Sequence, residues 1–189
     1  MDIETHYFDE ASWELTDETL KIVRAYLDAN PEIQDIIVAT TRGNTGLAAS
    51  EMFSDKNLIV VSHQEGFAEP NENELEKEKR NKIEAKDVKI LTATHAMAGI
   101  ARGIRKELGT WTPAELMAVA YRTFSQGTKV CAEIAMMAAD AGLVRVDKDV
   151  VCIAGTGRGA DTAWIVRPTY TSKFPKLKMK ACLCKPFEF

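Results

Sequence analysis

Four separate apolar runs, at 35–40, 58–62, 88–92 and 150–154, each end in small, hydroxylic or glycine residues. Short Val- and Ile-rich runs of this kind read as buried strands. Helical stretches between them read as the crossovers of a parallel sheet. If the four strands are parallel, their polar ends meet at one edge of one sheet. That is the edge at which open α/β sheets bind ligands. Glycine there lets backbone amides approach a phosphate, because no Cβ stands in the way.

The rest of the chain can be placed around those runs. Thr16, followed by Asp17 and Glu18, signals a helix start, and Leu20, Val23 and Leu27 recur at helical spacing until Pro31. A second helix begins inside the glycine turn at 41–46 and reaches Phe53. The stretch 73–85 is helical but mostly charged, with Leu75 and Ile83 as a thin apolar stripe, and reads as a solvated crossover. Residues 97–107 predict a helix ended by Gly109, and Thr112, Pro113 and Glu115 form a capping box that opens the next. Val130, Ile134, Met137, Ala138 and Ala141 mark a core-facing helix from Gly127 to Gly142. The run at 162–166 follows its predecessor across a link too short for a helix, so it is expected to be antiparallel. The alternating stretch 176–184 predicts one more strand at an edge, with lysines on its open face. Residues 1–15, with Tyr7, Phe8 and Trp13 among acids, predict a segment packed on the core.

With 189 residues and a hydrophobic fraction of 46%, the chain predicts a single folded domain over 1–189. A net charge of −4 with interspersed signs argues against a nucleic-acid partner. The first six residues lack a basic and apolar leader, and no stretch approaches the ~20 apolar residues of a membrane span, so a soluble cytoplasmic protein is expected. Cys131, Cys152, Cys182 and Cys184 form no Cys-x-x-Cys pair and read as buried thiols. A homo-oligomer is left open.

Three constellations fall at the proposed edge. In the first turn, the amides of Gly43, Asn44, Thr45 and Gly46 with the hydroxyls of Thr41 and Thr45 can cradle a phosphate, with Arg42 as counter-charge. The competing reading is a plain strand-to-helix turn, and no Walker ending is present. After the fourth run come Gly155, Thr156, Gly157, Arg158, Gly159, Ala160 and Asp161, with Thr162 opening the next strand. A tight link explains some of those glycines, whereas a ligand-facing loop also explains Arg158 and Asp161. Thirdly, His63 and His95 end two strands, with Gln64, Gly66 and Phe67 beside the first and Thr94 beside the second. A flat ring wants such an apolar wall with a few polar groups. No carboxylate cluster accompanies them, so no metal is expected. If the helix from Gly127 packs antiparallel to the fourth strand, its start brings Gln126, Gly127, Thr128 and Lys129 to the same edge.

The residues at 36–46, at 60–64 with Gly66 and Phe67, and at 138–159 resemble, in that order, the C-terminal domain of pyruvate kinase. They are closer still to a family of stand-alone archaeal proteins built on that fold. The resemblance covers nearly the whole chain and rests on the order of its motifs. It implies a three-layer α/β/α sandwich around a mixed sheet of about five strands, four parallel and the last antiparallel. Pyruvate kinase catalysis is not implied, since that chemistry belongs to a barrel domain for which this chain has no room. In pyruvate kinase the resembling domain is regulatory and often holds a phosphorylated sugar on a Thr/Ser- and Gly-rich turn, matched here by Thr41, Gly43, Asn44, Thr45 and Gly46. The stand-alone family is associated with FMN. The function so implied is binding of a phosphorylated cofactor, FMN, with flavin-dependent oxidoreduction of an unnamed substrate as its enzymatic form. The alternative is a regulatory or sensing module for a sugar phosphate or nucleotide. No catalytic residue stands out.

Overall fold

The computed structural model describes residues 2–189. Its sheet is built from β1 (His6–Glu10), β2 (Asp35–Thr40), β3 (Asn57–Ser62), β4 (Lys89–Thr92), β5 (Val150–Ala154), β6 (Thr162–Arg167) and β7 (Lys178–Glu188). The helices are α1 (Thr16–Ala29), α2 (Asn44–Met52), α3 (Lys77–Glu84), α4 (Ile100–Leu108), α5 (Pro113–Arg122) and α6 (Gln126–Asp140). The strand order is β1-β7-β6-β5-β2-β3-β4. The pairs β5–β2, β2–β3 and β3–β4 are parallel, and β6 is antiparallel to β5, as the short link requires.

Among the described residues the sheet has seven strands rather than about five. The stretch after residue 176 forms β7, antiparallel to β6. It is not an edge, because β1 lies parallel to it on the outside, pairing His6 with Cys184 and Phe8 with Pro186. β6 therefore alone runs against the other strands. The N-terminal segment does pack on the core, and it does so as a strand.

Strand alternation sorts the core onto two faces. Ile36, Val38, Leu58, Val60, Val151 and Ile153 pack under Leu20, Val23 and Leu27 of α1, Phe53 after α2, and Ile83 of α3. Ile37, Ile59, Val61, Val150 and Cys152 face the other way, onto Cys131, Ile134, Ala135 and Ala138 of α6. α5 lies outside α6, through Ala118 against Ala132 and Met136. Residues on both strand faces are buried, so these strands read as continuous apolar runs.

This layering places the site. α2 and α3 cover one face and α6 covers the other. Sequential crossovers thus leave β2 on opposite sides of the sheet from those that arrive at β5. The β2–β5 seam is the switch point of the sheet, where a crevice opens beyond the strand C-termini.

One local expectation fails. Thr112 starts α5 with Pro113 in the first turn, but its side chain caps nothing and its buried hydroxyl has no partner among the described residues. Glu115, which a capping box would fold back onto the N-cap, instead pairs with Arg105 of α4.

Candidate functional site

A cavity of about 210 Å³ opens at the predicted edge, walled by the ends of β2, β3 and β5 and by the first turns of α6. Thr41 and Thr45 line it from the first turn, His63 and Phe67 from the loop after β3, and His95 from the loop after β4. Gly155, Gly157 and Gly159 come from the loop after β5, and Lys129 with Gln126 from α6. The three sequence constellations and the helix start therefore meet in one place.

Many of the amides expected to face a phosphate are already engaged. The hydroxyl oxygen of Thr40 accepts from Gly43 N at 3.2 Å and from Gly46 N at 3.3 Å. Gly46 serves packing as well: a Cβ there would stand 2.9 Å from Val60 Cγ1. At α6, Ser125 Oγ caps the amide of Thr128 at 2.9 Å, and the Thr128 hydroxyl accepts from Trp164 Nε1. In the β5–β6 link, Asp161 Oδ2 accepts from Thr156 N at 3.0 Å and its Oδ1 from the Thr162 hydroxyl at 2.6 Å. Thr16 Oγ1 takes the amide of Ala160. Thr128, Asp161 and Thr162 are thus buried bracing groups behind the cavity. Gly127 is there for contact, since a Cβ would overlap Thr162 Oγ1 and Cβ.

The remaining expected residues lie off the cavity wall. Arg42, Asn44, Gly66, Thr156 and Arg158 are exposed, and Gln64 is half-buried beside His63. Thr94 lines an adjoining, more open groove that shares His95 with the cavity.

What sequence reasoning missed is a set of charged side chains. Arg102 of α4, Arg122 of α5 and Glu133 of α6 line the cavity together with Lys129. Lys129 and Glu133 form a buried ion pair one helical turn apart, and the second Glu133 oxygen accepts from Met97 N at 3.0 Å. Burial lowers the Lys129 pKa, against the pull of Glu133. Arg122 donates to Gln126 at 2.7 Å, and the Arg102 guanidinium sits 5.1 Å from the Phe67 ring centroid. Neither has a carboxylate within ion-pairing distance among the described residues. The Lys129–Glu133 spacing was visible as an i,i+4 pair. Nothing in the sequence said that α4 and α5 turn their arginines to the same cavity.

An aromatic cluster adjoins these charges. His63, Phe67 and His95 cluster with ring centroids 4.0 to 5.2 Å apart. His63 Nδ1 is hydrogen-bonded to Glu74 at 2.6 Å. Burial pulls the His95 pKa down to about 4, so its ring is neutral at physiological pH. The cysteines are buried or half-buried; burial pushes Cys182 and Cys184 up to about 12, so neither is a thiolate. Among the described residues no group of three His, Cys, Asp or Glu side chains is placed to hold a metal ion, and no helix is long and apolar enough to cross a membrane.

A mostly parallel sheet whose crossovers change sides at this seam is an open α/β domain. The family model "Pyruvate kinase, alpha/beta domain" matches residues 21–166, and the chain belongs to that family. Strands β2 to β5 and nearly all of β6 fall inside the matched stretch, whereas β1 and β7 fall outside it. Among solved structures, the hydrogen sulfide-producing enzyme of Fusobacterium nucleatum is similar over 56% of this chain and 28% of its own, at 20% identity and a TM-score of 0.30. That likeness is too slight to carry an argument.

Proposed function

We propose that this chain binds a phosphorylated small molecule at the β2–β5 seam. The observation that carries the reading is the pair of guanidiniums, Arg102 and Arg122, which line the cavity and form no ion pair among the described residues, the cavity's Glu133 being held by Lys129, in a protein of net charge −4. Unpaired arginines beside a helix start are a usual recognition device for phosphate. The Thr45 side chain supports it: the residue is 4% exposed, lines the cavity and makes no side-chain hydrogen bond among the described residues. The amides of Asn44 and Thr45 at the start of α2 have no intrahelical partner. The phosphate contacts so assigned are Arg102, Arg122, Thr41 and Thr45. The amides of Gly43 and Gly46 are not among them, because Thr40 holds both.

FMN, which the family resemblance implies, suits the donor set in kind. His63, Phe67 and His95 offer a flat aromatic wall, and the guanidiniums offer an anion site. A bound flavin would supply hydride chemistry, and the chain would supply position and electrostatics. A second reading is a sensing module for a sugar phosphate. It is favoured by the cavity volume of about 210 Å³, below the ~300 Å³ at which drug-sized sites begin.

The visible absorption spectrum of the purified protein separates the two. Flavin bands support the first reading; a colourless protein stabilised by a sugar phosphate supports the second. At a ligand concentration of ~100 Kd the melting temperature should rise by roughly 5–10 °C. Arg102→Ala with Arg122→Ala should abolish that rise. If FMN, sugar phosphates and inorganic phosphate all leave the melting temperature unmoved, the proposal fails.

A further inference from the structure

We propose that the outer face of α4 and α5 is covered by a second copy of this chain, in a two-fold dimer. No residue of α4 is fully buried, Ile104 being half-buried, and none joins a core cluster. Yet Ile100, Ile104 and Leu108 stand at i, i+4 and i+8, one apolar stripe. A helix this short is marginal in water without a packed face. Ile100 is 84% exposed and Leu108 74%. Beyond it Trp111 precedes α5, which meets α4 through the Arg105–Glu115 pair, and Leu116, Val119 and Phe124 lie on and after α5, so that among the described residues six of the eleven exposed large apolar side chains fall within 25 residues.

The identity of the occupant follows from area and charge. Those six side chains expose on the order of 700 Å², close to the ~800 Å² that each partner contributes to a standard stable interface. Trp111 and Phe124 are the kind of aromatic anchor that dominates such contacts. An apolar stripe laid on its own copy is self-complementary, as a two-fold contact demands. A lipid surface fits less well, since it would need a free basic face. Arg105 is paired with Glu115 and stacked on Trp111, and Arg102 faces Phe67, so that among the described residues Lys106 is the one cation of α4 without such a contact. Arg102 and Arg122 leave these same helices on the cavity side, so the dimer also holds both guanidiniums in place. That coupling rests on the anion-binding reading; the dimer does not.

Light scattering on the purified chain at micromolar concentration tests it. The expected mass is twice the 20.9 kDa of one chain. Leu116→Glu with Val119→Glu, and separately Ile100→Glu with Leu108→Glu, should each give a monomer with unchanged circular dichroism. The second pair guards against a folding defect in the first. A monomeric wild type overturns the proposal. So does a dimer that survives both pairs, or wild-type chain that sediments with phosphatidylserine vesicles when the variants do not. Inorganic phosphate, followed by thermal shift, should bind the monomeric variants about tenfold more weakly. A dimer that binds no phosphate leaves this interface standing and removes only the anion site.

Discussion

Glu133 couples three parts of the molecule: Lys129 on its own helix, the amide of Met97 in the loop after β4, and the cavity wall. Both members of the ion pair are 3% exposed. Removing one partner of such a pair strands the other charge in a dry environment, at about 3–5 kcal/mol. Glu133→Ala is therefore expected to lower the unfolding free energy in urea by about 3 kcal/mol, and Lys129→Met with Glu133→Leu to recover most of that loss. A fully stable single variant would show that the pair does not brace the 93–99 loop. His95 gives the molecule an acid sensitivity whose sign follows from burial. The folded chain holds the ring neutral down to about pH 4, whereas the unfolded chain takes up the proton near pH 6.5, as an ordinary histidine does. The penalty is absent above pH 6.5, grows as pH falls, and levels off below about 4. Between pH 7 and pH 5 it amounts to ~2 kcal/mol. Urea melts of His95→Gln should show a slope smaller by that amount over the same interval. Equal slopes for the two proteins would mean that the ring is already solvated.

At the scale of elements, the strand-to-turn junctions show what a sequence discloses and what it hides. The β2-to-α2, β5-to-β6 and pre-α6 turns were legible because glycine and threonine mark them and because apolar runs fix strand ends. Which atoms those turns leave free was not legible. A threonine at the end of β2 looks the same whether its hydroxyl faces a ligand or, as Thr40 does, caps Gly43 and Gly46. Asp161 likewise read as a ligand-facing acid, but it ties Thr156 and Thr162 together from within. The arginines were hidden for another reason: α4 and α5 are exposed amphipathic helices, and their rotation about their axes is set by tertiary contacts such as Arg105–Glu115. The turn after β5 permits a sharp check. A Cβ on Gly155 would stand 2.6 Å from Gly159 O and 2.9 Å from Ala160 Cα, both of them backbone. Gly155→Ala should thus destabilise by about 1–3 kcal/mol in chemical denaturation and loosen the cavity wall. Gly157, whose Cβ would meet nothing, is the comparison. Its alanine variant carries only the strain of a φ of 80°, expected to be about 1 kcal/mol.

At the scale of the whole chain, the sheet of the family domain is extended at one side. The matched residues 21–166 hold the four parallel strands and nearly all of β6, and the chain adds β7 and β1 beyond them. Neither addition announces its place in the sequence. β1 is five residues long with only Phe8 buried, so it carries no strand-like apolar run; its pairing with β7 is a contact between residues nearly the whole chain apart. Its role is legible only in three dimensions. β7 carries Leu183 and Cys184 into the core, and without β1 it would present its backbone groups as an open edge. Deleting residues 2–10 removes Phe8 from the core, the Thr5 hydrogen bond to Cys182 O and the whole β1–β7 ladder. Loss of a buried Phe alone is worth about 3–5 kcal/mol. The truncated chain should melt well below the parent and associate through β7 in a concentration-dependent way. Lys185→Pro, which removes a β7 backbone donor, should suppress that association without restoring stability. Light scattering and thermal melts on the three proteins decide it. A truncated chain that stays as stable and as dispersed as the parent would mean that β7 closes the sheet unaided.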